Sequence, residues 1–315
     1  MKKKLFKITT RFLILNFLFF IFTSPIVVLF GPFANLKRAA VGAIMTTQHS
    51  YFLTWLLSPA QITAIIGETF PVPAQRQKLF HFQKPVHDLI KLQEIKGARF
   101  QGYLLEVSDP GRVKVATARD LRDKGEPTST IAINHNAVAA VNAGGFSDPQ
   151  GTGTGRLPYG VIIHEKKLLA GSDLKGPVQL VGLTGQGVLV AGNYPVAEMK
   201  KVGVAEGVSF GPPLIINGQK MITRGDGGWG IAPRTAIGQR RDGTILLLVI
   251  DGRQPGYSLG ATLLDVQNVL YEQGAYVAAN LDGGSSTTMY YDGKVINKPC
   301  DLLGERMVPT AFIVQ

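Results

Sequence analysis

Cysteine is almost absent. Cys300 is the single one in 315 residues, which excludes an internal disulfide and any Cys-x-x-Cys site. The five histidines are scattered, and no two stand at the i, i+4 spacing of a helical zinc site. No acidic residue occurs between Met1 and Arg38, where Lys2, Lys3, Lys4, Lys7, Arg11, Lys37 and Arg38 carry seven positive charges. Removing these seven from the net +11 leaves about +4 for the rest, which is no nucleic-acid footprint. There is no fixed-period repeat and no low-complexity tract. The loop Gly151-Thr-Gly-Thr-Gly-Arg156 lacks the third glycine of a dinucleotide fingerprint and the Lys-Ser/Thr of a P-loop. It reads instead as a mobile loop over a cleft.

Glycine is abundant, at 37 residues, against a usual ~7%. That favours many tight turns between strands over a helical bundle. Residues 12–30 are almost entirely apolar, broken only by Asn16, Thr23, Ser24 and Pro25. Roughly 19 helical residues span about 28 Å, close to the hydrocarbon core of a bilayer. More positive charge precedes the run than follows it, so the N-terminus is expected in the cytoplasm and the rest outside. An uncleaved signal anchor is favoured over its close rival, a cleavable signal peptide, because Lys37 and Arg38 sit where a small-residue cleavage site belongs. The expected organisation is a tail and anchor over 1–38, a membrane-proximal helical linker or stalk over 39–96, and a domain over 97–315. Pro71 and Pro73 mark a break within the linker.

In that domain, residues 100–107 and 113–118 read as strands joined by Ser108-Asp-Pro-Gly111, and 128–135 as a short helix. Residues 244–250 form a continuous apolar run, as expected of a strand buried on both faces, and end at Asp251. Ser258 can cap a helix with apolar positions Leu259, Leu263, Val266 and Leu270, and Gly274 can end it. A second strand over 276–281 stops at Asp282. This is a β-α-β unit with a right-handed crossover. Strands so connected within one sheet are parallel, placing Asp251 and Asp282 on one sheet edge, where open α/β sheets bind ligands. After Asp282 come two glycines and four hydroxyl residues, Gly283-Gly-Ser-Ser-Thr-Thr288. Their amides can form an anion-binding nest. Asp282 as a plain cap of its own turn is the competing structural reading. The expected fold is a sheet-rich α+β (mixed α/β) domain with the β-α-β unit near its C-terminus, preceded by a transmembrane helix.

Six motifs occur in order: Val141-Asn-Ala-Gly-Gly-Phe146, Arg234-Thr-Ala-Ile-Gly238, Asp251-Gly-Arg253, Asn280-Leu-Asp-Gly-Gly-Ser-Ser286, Asn297-Lys-Pro299 and Glu305-Arg306. Together they resemble the phosphodiester glycosidase family from about residue 97 to the C-terminus. The family often has Asn-Gly-Gly-Phe-Phe where this chain has Asn142-Ala-Gly-Gly-Phe146. The resemblance implies cleavage between a sugar's anomeric carbon and a phosphodiester oxygen.

That chemistry assigns roles. A carboxylate must stabilise or trap an oxocarbenium-like centre: Asp282 first, Asp251 second. Arginine forks suit the diester: Arg234, Arg253 and Arg306. Asn142 and Asn280 are candidates for sugar hydroxyls or phosphate, with Gly144 in the same binding set. Gly283, Gly284 and Ser285 are candidate amide donors, and Ser286 a hydroxyl contact. For Arg306, a plain salt bridge with Glu305 is an equal alternative. The sequence has no metal-ligand pattern and implies no cofactor, although Asp-rich loops can take Ca²⁺ through oxygen ligands. The expected partners are a glycosyl phosphodiester in a cell-envelope glycan or glycopolymer and, through the N-terminal helix, the membrane. A non-catalytic module for phosphate-containing glycans and a phosphodiesterase that cleaves P–O remain as alternatives.

Overall fold

The computed structural model describes residues 2–45, 50–66, 77–83, 89–121, 123–147 and 154–315, with the side chains of 2–9 left aside. Residues 151–153 of the glycine loop and the Pro71–Pro73 break lie outside them. The chain divides into two compact units: Met1–Thr69 with Gly228–Gly230, and Phe70–Gly227 with Ile231–Gln315.

The first unit is helical: Lys2–Phe30, Ala34–Met45, Tyr51–Leu56 and Pro59–Ile66. Within the first helix, the 21 residues Thr10–Phe30 are apolar and long enough to cross a membrane. Their large side chains, from Phe12 to Phe30, are mostly exposed, with Leu29 the buried exception. The shorter helices bury Val41, Leu53, Leu57 and Ile62 together with Leu29 from the end of the first helix.

The second unit is built on sheets. The largest has seven strands, in the order Ile90–Lys96, Gln101–Val107, Ile245–Ile250, Arg234–Gln239, Val277–Leu281, Pro213–Ile216 and Gln219–Lys220. Every neighbouring pair is antiparallel. A five-stranded sheet contains Ala139–Asn142 between Met289–Tyr291 and Thr310–Val314. Another centres on Val204–Val208 and Pro177–Thr184. One core joins all three through Leu247, Ile237 and Ala279, then Val141, Phe312 and Met289, then Val181, Leu189 and Val208. Ile245–Ile250 is buried at every residue, as its unbroken apolar sequence requires.

Two expectations need correction. Ile90–Lys96, assigned to the linker, is a strand paired along its whole length with Gln101–Val107. Ile90 and Leu92, two residues apart on one face, pack against the core, while Lys91, Glu94 and Lys96 are exposed, as on an edge strand. Second, the C-terminal helix is Leu263–Glu272, capped by Thr262 and not by Ser258. Thr262 and Asp265 form a reciprocal capping box, whereas Gly260 at φ +109 breaks any helix begun earlier. Ser258 instead donates to the Asp251 carbonyl at 2.5 Å. The two strands of the β-α-β unit share one sheet and run parallel, as expected, but they are not adjacent. Arg234–Gln239 lies between them, antiparallel to both. The sheet edge predicted for Asp251 and Asp282 therefore also receives the first residue of the intervening strand, Arg234.

Candidate functional site

Register assembles the site. Arg234 pairs with Ile250, the residue before Asp251, and Thr235 with Leu281, the residue before Asp282. Both aspartates thus leave the same edge, with Arg234 between them. The turn after Val277–Leu281 is a short 3₁₀ segment, Gly284–Ser286. Gly284 has φ +62, open to glycine without strain, and its missing side chain leaves room for Arg253, whose Nη2 lies 3.4 Å from where a Cβ would stand.

Asp282 is held by its backbone, and one oxygen of its carboxylate is left without a hydrogen bond. Its N–H donates to the Ala143 carbonyl at 3.0 Å, and its carbonyl accepts from Asn142 Nδ2 at 2.5 Å. Its Oδ2 is shielded from solvent without any hydrogen-bond partner, although the residue as a whole is only half-buried. Burial pushes this carboxyl up to about 6, against hydrogen bonds from Ser286 and the Gly283 amide and the positive charge of Arg306. Asn280 Oδ1, Thr287 Oγ1 and Thr288 Oγ1 are also buried without partners. Four orphaned oxygens within nine residues mark a place shaped for something polar.

The three arginines surround this turn differently. Arg306 is close enough to act on the Asp282 charge, and its guanidinium stacks 5.2 Å from the Phe146 ring centre. Its neighbour Glu305 is turned to Ser129, accepting from its amide at 2.9 Å and from its hydroxyl. Arg253 is exposed, bonds the Cys300 thiol and packs on Gly284. Arg234 is buried and donates from Nε to the Ala261 carbonyl at 3.0 Å. Burial, then Arg253, lowers it to about 10 against the pull of Asp226 and Asp265.

Other candidates turn out to be committed within the protein. Asp251 is buried, with both carboxylate oxygens taken. Oδ1 accepts from Asn297 Nδ2 at 2.9 Å and Oδ2 from the Tyr257 hydroxyl at 2.9 Å, and the Lys298 amide donates to both at 3.1 Å. Burial still raises this carboxyl above its usual range. Asn297 passes the connection on, donating to the Thr287 carbonyl at 3.1 Å. Asp251 is therefore a brace that ties its own loop to the Asp282 turn. Asn142 is largely committed too: besides Nδ2 holding the Asp282 carbonyl, its Oδ1 accepts from the Thr235 hydroxyl at 2.8 Å and the Thr288 amide at 3.1 Å. Gly144 donates its N–H to Thr310 Oγ1 at 2.9 Å. The Gly284 amide goes to the Pro233 carbonyl at 2.9 Å and the Gly283 amide to Asp282 itself. So the expected nest of donors is largely consumed by the turn, with Ser285 the half-buried member at its outer side. Asn280 keeps its Oδ1 free while Nδ2 holds the Gly211 carbonyl at 3.0 Å.

Sequence reasoning missed Thr287 and Thr288, seen only as part of a hydroxyl row, and Tyr257 and Thr235. None has a spacing that announces a site, because their partners come from strands far away in sequence. Among the described residues, no cluster of three or more His, Cys, Asp or Glu side chains could hold a metal ion.

An antiparallel sheet edge carrying a half-satisfied carboxylate among arginines suits a polar, charged ligand. The comparisons specify the family. The phosphodiester glycosidase (NAGPA) family model matches residues 135–315, and the chain belongs to that family. Over 81 residues it is 40% identical to the SPbeta prophage-derived uncharacterized protein YomE of Bacillus subtilis, covering 26% of this chain and 12% of that protein. Over 77 residues it is 35% identical to bovine N-acetylglucosamine-1-phosphodiester alpha-N-acetylglucosaminidase, covering 24% of this chain and 14% of that one. The matched stretches are thus a small part of both relatives. In fold, the chain is similar to the zebrafish catalytic domain of the latter enzyme, solved auto-inhibited by its pro-peptide, with a TM-score of 0.64 at 22% identity over 79% of this chain and 92% of that one. A hypothetical protein from Synechocystis shares the fold at a TM-score of 0.52 and 18% identity, covering 72% and 62%.

Proposed function

We propose that this protein hydrolyses the bond between the anomeric carbon of a sugar and the bridging oxygen of a phosphodiester, with Asp282 as its catalytic carboxylate. The observation that carries the reading is the unpartnered, solvent-shielded Oδ2 of Asp282 beside Arg306. A carboxylate whose hydrogen bonds were all filled, like Asp251, would have little left for a developing cation. One with an empty oxygen in a dry setting interacts strongly with positive charge appearing at carbon.

Family membership supports the bond cleaved, and the arginines support the substrate's charge. Arg306 and Arg253 are placed to meet the diester, while buried Arg234 acts through the local field. Asn280 and Thr288 offer free oxygens to sugar hydroxyls. As the C–O bond breaks, its electron pair leaves with the phosphate monoester. Water then supplies a hydroxyl to the anomeric carbon and releases a proton. Phosphate leaves more readily than a sugar alkoxide, so no second carboxylate is required as a strong acid. In this reading every step belongs to side chains of the chain itself, with no cofactor.

The N-terminal helix supports a signal anchor over 1–38, with the sheet-rich domain, from about residue 90, outside the cytoplasm. A sugar-1-phosphate unit of a cell-envelope polymer is then the substrate class. Hydrolysis by the full-length protein in ¹⁸O-water tests the chemistry. Label in the released sugar is expected; label in the phosphate would replace the reading with P–O cleavage. Binding without any turnover would replace it with a glycan-recognition module.

A further inference from the structure

The loop between Asn297 and Val308 holds an anomaly. Asp301 and Gly304 close a tight turn, with the Gly304 amide donating to the Asp301 carbonyl at 3.1 Å and the Leu303 amide to Asp301 Oδ1 at 3.1 Å. The two residues at its tip are Leu302 and Leu303, exposed at 101% and 95%. Such positions usually hold Gly, Asn, Asp, Ser or Pro, because side chains there face water. Here the turn is pinned by its own hydrogen bonds while presenting two complete leucine side chains.

The turn is anchored in the site at both ends. On one side Cys300 bonds Arg253, which packs on Gly284. On the other, Arg306 acts on Asp282. Leu302 is two residues from Cys300 and Leu303 three from Arg306, so the tip lies within about 8–11 Å of those anchors along the chain. The adjoining loop, joined to this one where Gln254 Nε2 donates to the Lys298 carbonyl at 2.8 Å, exposes Leu259 by 49%. Lys298 lies over the Tyr257 ring at 4.1 Å. The rim thus combines exposed leucines with Arg253, Lys298 and Arg306. That is the complement of a molecule with a phosphate at one point and an apolar chain beyond it.

We infer that Leu302 and Leu303 select the aglycone, and that the substrate is a glycosyl phosphodiester of a lipid alcohol. The inference rests on the hydrolytic reading above. The phosphate meets the arginines, the sugar lies over Asp282, and the alkyl chain runs out across the leucine tip. A chain that carries a membrane-length helix meets such substrates where they reside.

The test compares full-length protein with the double variant Leu302→Ser/Leu303→Ser on two substrates sharing one sugar: a glycerol diester and a decyl diester bearing a diazirine in its chain. The wild type is expected to favour the decyl diester at least tenfold in kcat/KM. The variant should lose that preference while cleaving the glycerol diester as before. On irradiation, the decyl probe should cross-link to the 301–304 turn, in Asp282→Asn protein as well. No chain-length preference in the wild type, equal loss on both substrates, or cross-linking confined to other segments would overturn the inference. Cross-linking at the turn without turnover of either diester would instead refute the hydrolytic reading and leave the aglycone contact standing.

Discussion

Replacing Asp282 by asparagine should nearly abolish turnover and at the same time stabilise the fold at neutral pH. The two effects share one origin. Burial raises the Asp282 carboxyl from 3.8 to about 6. Above that pH the folded protein holds a charge that the unfolded chain carries more comfortably in water. Two pKa units at 1.36 kcal/mol each set a ceiling of about 3 kcal/mol on the penalty. Asparagine keeps the shape without the charge, but it weakens the hydrogen bonds from Ser286 and Gly283, worth about 1 kcal/mol. A net gain of about 1–2 kcal/mol remains, or roughly 3–6 °C in Tm for a domain of this size. The sign with pH is fixed. The raised carboxyl means that the folded state binds the extra proton, so the wild type regains this stability as pH falls from about 6 to 3.8. Melting curves of both proteins at pH 4, 6 and 8 should therefore show a gap at pH 8 that closes near pH 4. Using the difference between proteins removes the contribution of Asp251, whose carboxyl is also raised. Meanwhile kcat should fall by several powers of ten with substrate affinity little changed, each tenfold loss being about 1.4 kcal/mol of barrier. An asparagine variant that is less stable than wild type at pH 8, or that retains turnover, would show that Asp282 is a structural cap and that catalysis lies elsewhere.

Wild-type kcat/KM should rise with pH through about 6 as Asp282 ionises, with no such limb in the residual activity of Asp282→Asn. Asp251→Ala should cost about 3–5 kcal/mol in denaturant unfolding, because it strands Asn297, the Lys298 amide and Tyr257; a change under about 1 kcal/mol would remove its role as a brace. Asn142→Ala should cost about 2–4 kcal/mol, as it frees the Asp282 carbonyl, the Thr235 hydroxyl and the Thr288 amide at once. Full-length protein should remain with membranes through an alkaline carbonate wash, and recovery of a soluble chain beginning after Arg38 would identify a cleaved signal instead. Chelator should leave kcat unchanged; loss of activity restored by Ca²⁺ would add a metal to the site.

The chain's own pattern sufficed where local chemistry decides. The apolar run of residues 12–30 and the strands ending at Asp251 and Asp282 are all visible as stretches; for the two strands the reason is burial on both faces, which demands near-continuous hydrophobicity. The parallel direction of those two strands also follows from the helix between them. Tertiary structure decided what stands between them. Arg234–Gln239 inserts antiparallel, and only that pairing sets Arg234 at the edge beside both aspartates. It also separated two carboxylates that look alike in sequence. Each ends a buried strand and precedes a glycine, yet Asp251 meets donors from a loop 46 residues away, while Asp282 Oδ2 meets none. Availability of a carboxylate depends on which distant donors reach it, and pairing between segments far apart in the chain leaves no periodicity in the residues themselves.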